Sequence, residues 1–158
     1  MLRFAIIGTG KISHTFMKAA LKVPGFKLEA VYSRSQDSGR AFGSVYGVDK
    51  VYTTLKALGA DPEVDAVYIA SPNSSHCAQT VFMLEHGKHV LCEKPIASSA
   101  QELERMMKAA DGNGKILLEA MRPVFDPGFG NSEKSSEARK DPQGNVPVLP
   151  VFLPIRCV

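Results

Sequence analysis

The chain has 158 residues, 44% of them hydrophobic and 22% charged, enough for one globular domain with a real core. A net charge of +3 is small and evenly spread, which argues against nucleic acid as a partner. No apolar run approaches the length of a membrane span, and the N-terminus is expected to enter a strand directly, without a signal peptide. Cys77, Cys92 and Cys157 lack CxxC spacing and, with the four histidines, form no metal-ligand pattern. A reduced, cytoplasmic setting without a bound metal is expected.

Short apolar runs alternate with helical patterns as far as Arg122. Residues 2–7 read as a buried strand. Ile12, Phe16, Ala19, Ala20 and Val23 share one face of the helix that follows, and Pro24-Gly25 ends it. Residues 27–32 form a second strand, and residues 38–46 a short helix weakened by glycine. A third strand is expected at residues 50–52, then one or two helical turns at 54–58 broken by Asp61-Pro62. A central strand covers residues 66–70, and Cys77, Val81 and Leu84 mark a helix stopped near Gly87. Residues 89–92 give a fifth strand. Ser99 and Glu102 have capping-box spacing at the start of a helix that runs to about Asn113. Met106 and Met107 read as packing residues of that helix, and residues 116–119 as a sixth strand. Strict βα alternation of this kind specifies an α/β fold with a doubly wound, mostly parallel sheet, the Rossmann arrangement.

Gly8-Thr9-Gly10-Lys11-Ile12-Ser13 joins the first strand to the first helix. Gly8 permits a tight turn, and Gly10 lets backbone approach a pyrophosphate. The helix start adds free N–H groups and the positive end of its dipole. Ser13 stands at the third glycine position of the usual fingerprint, where a small residue still allows close packing. After the second strand, Ser33-Arg34-Ser35 replaces the acid that usually holds a ribose 2′-hydroxyl. A guanidinium flanked by hydroxyls suits a 2′-phosphate, so NADP is expected over NAD. The missing acid also weighs against a methyltransferase.

Three further motifs sit at strand ends: Ser71-Pro72-Asn73 with His76, Glu93-Lys94-Pro95, and Glu119. Together with Gly8-Thr9-Gly10 and Ser33-Arg34, they make residues 1–125 resemble the N-terminal domain of the Gfo/Idh/MocA family of NAD(P)-dependent oxidoreductases. The resemblance implies hydride transfer to or from a sugar, cyclitol or diol. It implies that Lys94 is the catalytic lysine contacting substrate and cofactor. The implied cofactor set is Gly8, Thr9, Gly10, Lys11, Ile12, Ser33, Arg34, Ser71, Pro72, Asn73, His76, Glu93, Lys94 and Glu119. Read from its position alone, His76 belongs to a helix start rather than to a general base. A cis bond before Pro95 is a further implication, as is homo-oligomer formation through a C-terminal domain.

That second domain is not expected here. Residues 126–158 hold Pro127, Pro142, Pro147, Pro150 and Pro154, lack helical or strand period, and read as an irregular, poorly ordered tail. Codon freedom allows residues 138–157 a second reading frame without a stop, opening on Gly-Lys-Ile like the family's entry strand, so a frameshift is one origin for the tail. Two functions stay open: an oxidoreductase present as its cofactor-binding half, or a dinucleotide-binding module without catalysis.

Overall fold

The computed structural model describes residues 1–121. The expected tail, Arg122 and Cys157 lie outside the described residues. Strands and helices alternate as β1 (Leu2–Ile7), α1 (Lys11–Ala20), β2 (Phe26–Tyr32), α2 (Gln36–Tyr46), β3 (Val51–Tyr52), α3 (Leu55–Gly59), β4 (Ala66–Ile69), α4 (His76–Glu85), β5 (His89–Glu93), α5 (Ala100–Gly112) and β6 (Leu117–Ala120). One 3-10 turn, Asn73–Ser75, precedes α4. The six strands form a single sheet in the order β3-β2-β1-β4-β5-β6, and every pairing is parallel. Two half-sheets therefore run outward in opposite directions from β1 and β4, as in the dinucleotide-binding fold.

Both faces of the sheet are covered, which is why its central strands are apolar throughout rather than alternating. All four residues of β4 are buried. On one face Ile6, Val31 and Tyr68 pack with Met17 of α1 and Phe42 of α2. On the other, Ile7, Ile69 and Cys92 pack with Met83 and Leu84 of α4 and Met106 and Ala110 of α5. Met107 stands at the edge of that layer, 36% exposed.

Helix starts follow the expected chemistry. Ser35, Thr54 and Ser99 each accept a hydrogen bond from a backbone N–H in the first turn of α2, α3 and α5. At α5 Glu102 also reaches back past the cap, its Oε2 accepting from Ser98 N at 2.8 Å rather than from Ser99 N as in a closed capping box.

Three details depart from the pattern in the sequence. The buried stripe of α1 is Ser13, Met17 and Ala20, not the expected set: Ile12 and Phe16 are half-buried, Ala19 is exposed, and Val23 lies beyond the helix, 58% exposed. The face is rotated because Ser13 Oγ donates to Gly8 O at 2.7 Å, so a polar residue occupies the inner position without an unpaired group. Register between β1 and β2 slips at Phe4/Ala5, passing over Glu29, which places Leu28 and Val31 in the same layer. The glycines of α2 are a packing device as much as a weakness. A Cβ at Gly39 would meet Val51 Cγ1 at 2.3 Å, and one at Gly43 would meet Val48 O at 2.2 Å.

Gly43→Ala should therefore destabilise the protein by about 1–3 kcal/mol by overpacking, outweighing the roughly 1 kcal/mol that alanine adds to a helix. Urea unfolding of the variant checks this; equal or greater stability would contradict the packing account.

His89 gives the fold a pH dependence. Ile116 N donates to His89 Nδ1 at 3.0 Å, so the bond to the start of β6 needs an unprotonated nitrogen there. Burial, assisted by Lys115 and opposed by Asp65, holds this imidazole below its ordinary range. The unfolded ring then binds its proton first, and stability falls as pH drops below about 6.5, levelling off once the folded ring titrates. The difference in unfolding free energy between the wild type and His89→Gln, followed from pH 8 to 5, should shrink over that window. A constant difference would remove His89 from the pH response.

Candidate dinucleotide site

The carboxyl ends of the strands carry the site. Where β1 and β4 part company, a cleft of about 650 Å3 opens between the glycine turn, the end of β2 and the loop after β4. Gly8 adopts φ +104°, and a Cβ there would sit 2.6 Å from Ala70 O. Only glycine meets both conditions. A Cβ on Gly10 would meet nothing within 4 Å, because that position faces the open cleft. No side chain caps the start of α1, and its first turn contains no acid. Its leading N–H groups and positive dipole end are left for an anion. These features fit a pyrophosphate.

The rim beyond β2 is formed by Ser33, Arg34, Ser35 and Ser38. Ser33 is buried and the other three are exposed. Arg34 makes no hydrogen bond or ion pair among the described residues. Among the described residues no carboxylate lines this cleft.

A second, smaller cleft of about 280 Å3 adjoins the first through Ala70 and Ser71. Ile12, Asn73, His76, Glu93 and Lys94 complete its wall. Asn73 and Lys94 are exposed, whereas Glu93 is only 8% exposed. Glu93 is held on both oxygens: Oε1 accepts from Tyr68 Oη at 2.5 Å, and Oε2 accepts from Lys94 N at 3.2 Å. Tyr68 in turn stacks on Phe16, ring centroids 3.8 Å apart. The carboxylate therefore orients the backbone of Lys94 from a buried base. The Lys94–Pro95 bond is cis.

His76 is 1% exposed, with Nδ1 2.9 Å from Pro95 O and Nε2 2.9 Å from Ser71 O. Glu119 does not line either cleft; its Oε1 accepts from Ile96 N at 2.9 Å. Lys11 also stays outside both walls and is exposed at the first position of α1. The remaining residues singled out in the sequence line one cleft or the other. Sequence reasoning missed Gln79, whose Oε1 accepts from Ser71 Oγ at 2.6 Å. It lies one turn into α4, and only the fold brings it beside Ser71. Ser38 was also missed, although its place after Ser33 and Ser35 continues a run of hydroxyls. Burial pushes the Cys92 thiol up to about 12, so it is a packing group.

Among the described residues no group of His, Cys, Asp and Glu is arranged to hold a metal ion, and no helix is long and apolar enough to cross a membrane.

Residues 2–121 match the oxidoreductase family, NAD-binding Rossmann fold, denoted GFO_IDH_MocA. The scyllo-inositol 2-dehydrogenase (NADP(+)) IolU of Bacillus subtilis is 46% identical over 134 residues, which is 85% of this chain and 41% of that enzyme. The trans-1,2-dihydrobenzene-1,2-diol dehydrogenase of Danio rerio is 32% identical, over 80% of this chain and 38% of that enzyme. Among solved structures, KijD10, a 3-ketoreductase from Actinomadura kijaniata in complex with NADP and TDP-benzene, superposes with a TM-score of 0.80 at 27% identity. That match covers 86% of this chain and 42% of the ketoreductase. The chain spans about two fifths of the length of these relatives. With its parallel six-stranded sheet and its cradle at the switch point, the chain belongs to the Gfo/Idh/MocA oxidoreductase family and carries that family's NAD-binding Rossmann domain.

Proposed function

We propose that residues 1–125 are the cofactor domain of an NADP-preferring oxidoreductase that acts on a polyol or the corresponding carbonyl compound. One observation carries the reading. The glycine cradle, the Arg34 rim and the Lys94 cleft form a single continuous groove along the carboxyl ends of the sheet. The cradle fits a pyrophosphate because Gly10 puts no Cβ into its open side, because Gly8 allows the tight turn against Ala70 O, and because α1 starts uncapped. Arg34, with Ser33, Ser35 and Ser38, would hold the 2′-phosphate; no carboxylate there would repel it. IolU is named as NADP-dependent, and the ketoreductase structure contains NADP, both in keeping with that choice.

When bound, the nicotinamide supplies or accepts the hydride. The chain's own residues bind, orient and handle the proton. Asn73 and Ser71 would position the nicotinamide half by hydrogen bonding. Lys94 would stand beside the reacting carbon and act on the substrate oxygen. Its ammonium polarises a carbonyl and donates a proton to the developing alkoxide, and the neutral amine removes that proton in the reverse direction. Glu93 and Glu119 act on the backbone around Lys94 rather than on substrate. The substrate class rests on the inositol, diol and keto compounds named for the relatives.

Calorimetric titration with NADPH, NADH and S-adenosylmethionine tests the reading. NADPH should bind most tightly and S-adenosylmethionine not at all. Arg34→Ala should weaken NADPH about ten- to a hundredfold, the worth of a charge-assisted phosphate contact, and leave NADH within about twofold. Equal binding of NADPH by the variant would remove Arg34 from the site. A turnover assay over a panel of polyols separates catalysis from binding alone.

A further inference from the structure

The turn that carries Lys94 is tied down residue by residue. Lys94 N donates to Glu93 Oε2, Pro95 O lies 2.9 Å from His76 Nδ1, and Ile96 N donates to Glu119 Oε1. Lys94 and Pro95 are exposed, so little packing holds them from above. Their position rests on these polar ties. Two of the ties come from the carboxylates that end β5 and β6. The third comes from another element, since His76 is the first residue of α4.

His76 also does something the carboxylates do not. Its Nε2 lies 2.9 Å from Ser71 O, so one ring spans the loop after β4 and the loop after β5. Both partners are carbonyl oxygens, which only accept; a ring with one N–H bonds one of them and abuts the other, and a ring with two N–H groups bonds both. The ring is 1% exposed and both its nitrogens face backbone carbonyls, so it is not placed as a base for the reaction.

We infer that His76 is a positioning residue: its ring locks the turn at residues 94–96 against Ser71 and so sets where Lys94 stands over the second cleft. The inference rests on the dinucleotide reading of the groove. Its effect should fall mainly on the nicotinamide half, because no hydrogen bond joins His76 to the 2′-phosphate rim at Ser33, Arg34, Ser35 and Ser38 among the described residues. Ser71, which His76 holds, is the residue the two clefts share with Ala70.

The test uses the 158-residue chain. Calorimetry measures NADPH, which occupies both clefts, and adenosine 2′,5′-bisphosphate, which occupies only the first. His76→Phe should weaken NADPH about tenfold, the equivalent of one lost hydrogen bond, and leave the bisphosphate within about twofold. His76→Gln, which keeps an N–H donor, should recover at least half of the loss on a logarithmic scale. In a Lys94→Ala background His76→Phe should weaken NADPH by less than about twofold, because the two residues act through one contact. Equal loss of both ligands, or the same loss in both backgrounds, would make His76 structural only and overturn the inference. Binding of neither ligand by the wild type would instead overturn the dinucleotide reading, and this inference with it. A measurement on the wild type needs no variant: the NMR spectrum of the ring should show a slowly exchanging N–H, and fast exchange at both nitrogens would also overturn the lock.

Discussion

Gly8 cannot carry a side chain where it passes the backbone of Ala70. The carbonyl of Ala70 occupies the place where a Cβ on Gly8 would project, 2.6 Å away. This contact lies at the point where β1 and β4 end side by side and their chains leave in different directions. Because the strands can approach there, α1 begins directly over the gap, and Ser13 closes the turn by donating to Gly8 O. That close approach sets the crevice and the seam between the two clefts, and Gly10, with no side chain to cap α1, leaves the helix start open.

Charge is distributed along the groove by using up the acids. Glu93 and Glu119, the carboxylates nearest Lys94, accept from backbone N–H groups, and Glu93 also accepts from Tyr68. Neither is left to pair with the Lys94 ammonium. At the other end of the sheet the situation is reversed. Lys50 contacts Glu29, Asp61 and Glu63, and Arg3 grips Asp65, whose carboxyl is held well below the usual range by that guanidinium. Arg3 and Lys50 at the amino ends of β1 and β3 are paired with carboxylates, while Arg34 and Lys94 at the carboxyl ends make no ion pair among the described residues. A groove of this polarity suits a polyanionic ligand.

Much of this was legible in the sequence because it depends on local chemistry. The strands show as apolar runs, Ser99 as a cap, and the glycine turn and Glu93-Lys94-Pro95 as motifs at strand ends; the caps Ser35 and Thr54 became visible only with the helix starts. What escaped depends on contacts that residue types do not announce, some only five positions away and some across the fold. The inner face of α1 was misread because a buried serine looks polar until its carbonyl partner is known. Gly39 and Gly43 read as helix weaknesses because Val51 and Val48 lie on other segments. Gln79 carries no motif, and the role of His76 appears only when Ser71 and Pro95 are brought to either side of its ring.

The central claim is that the carboxyl ends of this sheet form one continuous dinucleotide groove. The most direct measurement is an NMR titration of the isotope-labelled chain with NADPH. Backbone amides of the non-proline residues in 8–13, 33–38, 71–76 and 93–96 should shift together and saturate at one affinity, while those of Lys50, Asp61 and Lys88 hold still. Absence of saturable shifts, or shifts centred on the Lys50 end of the sheet, would contradict the account.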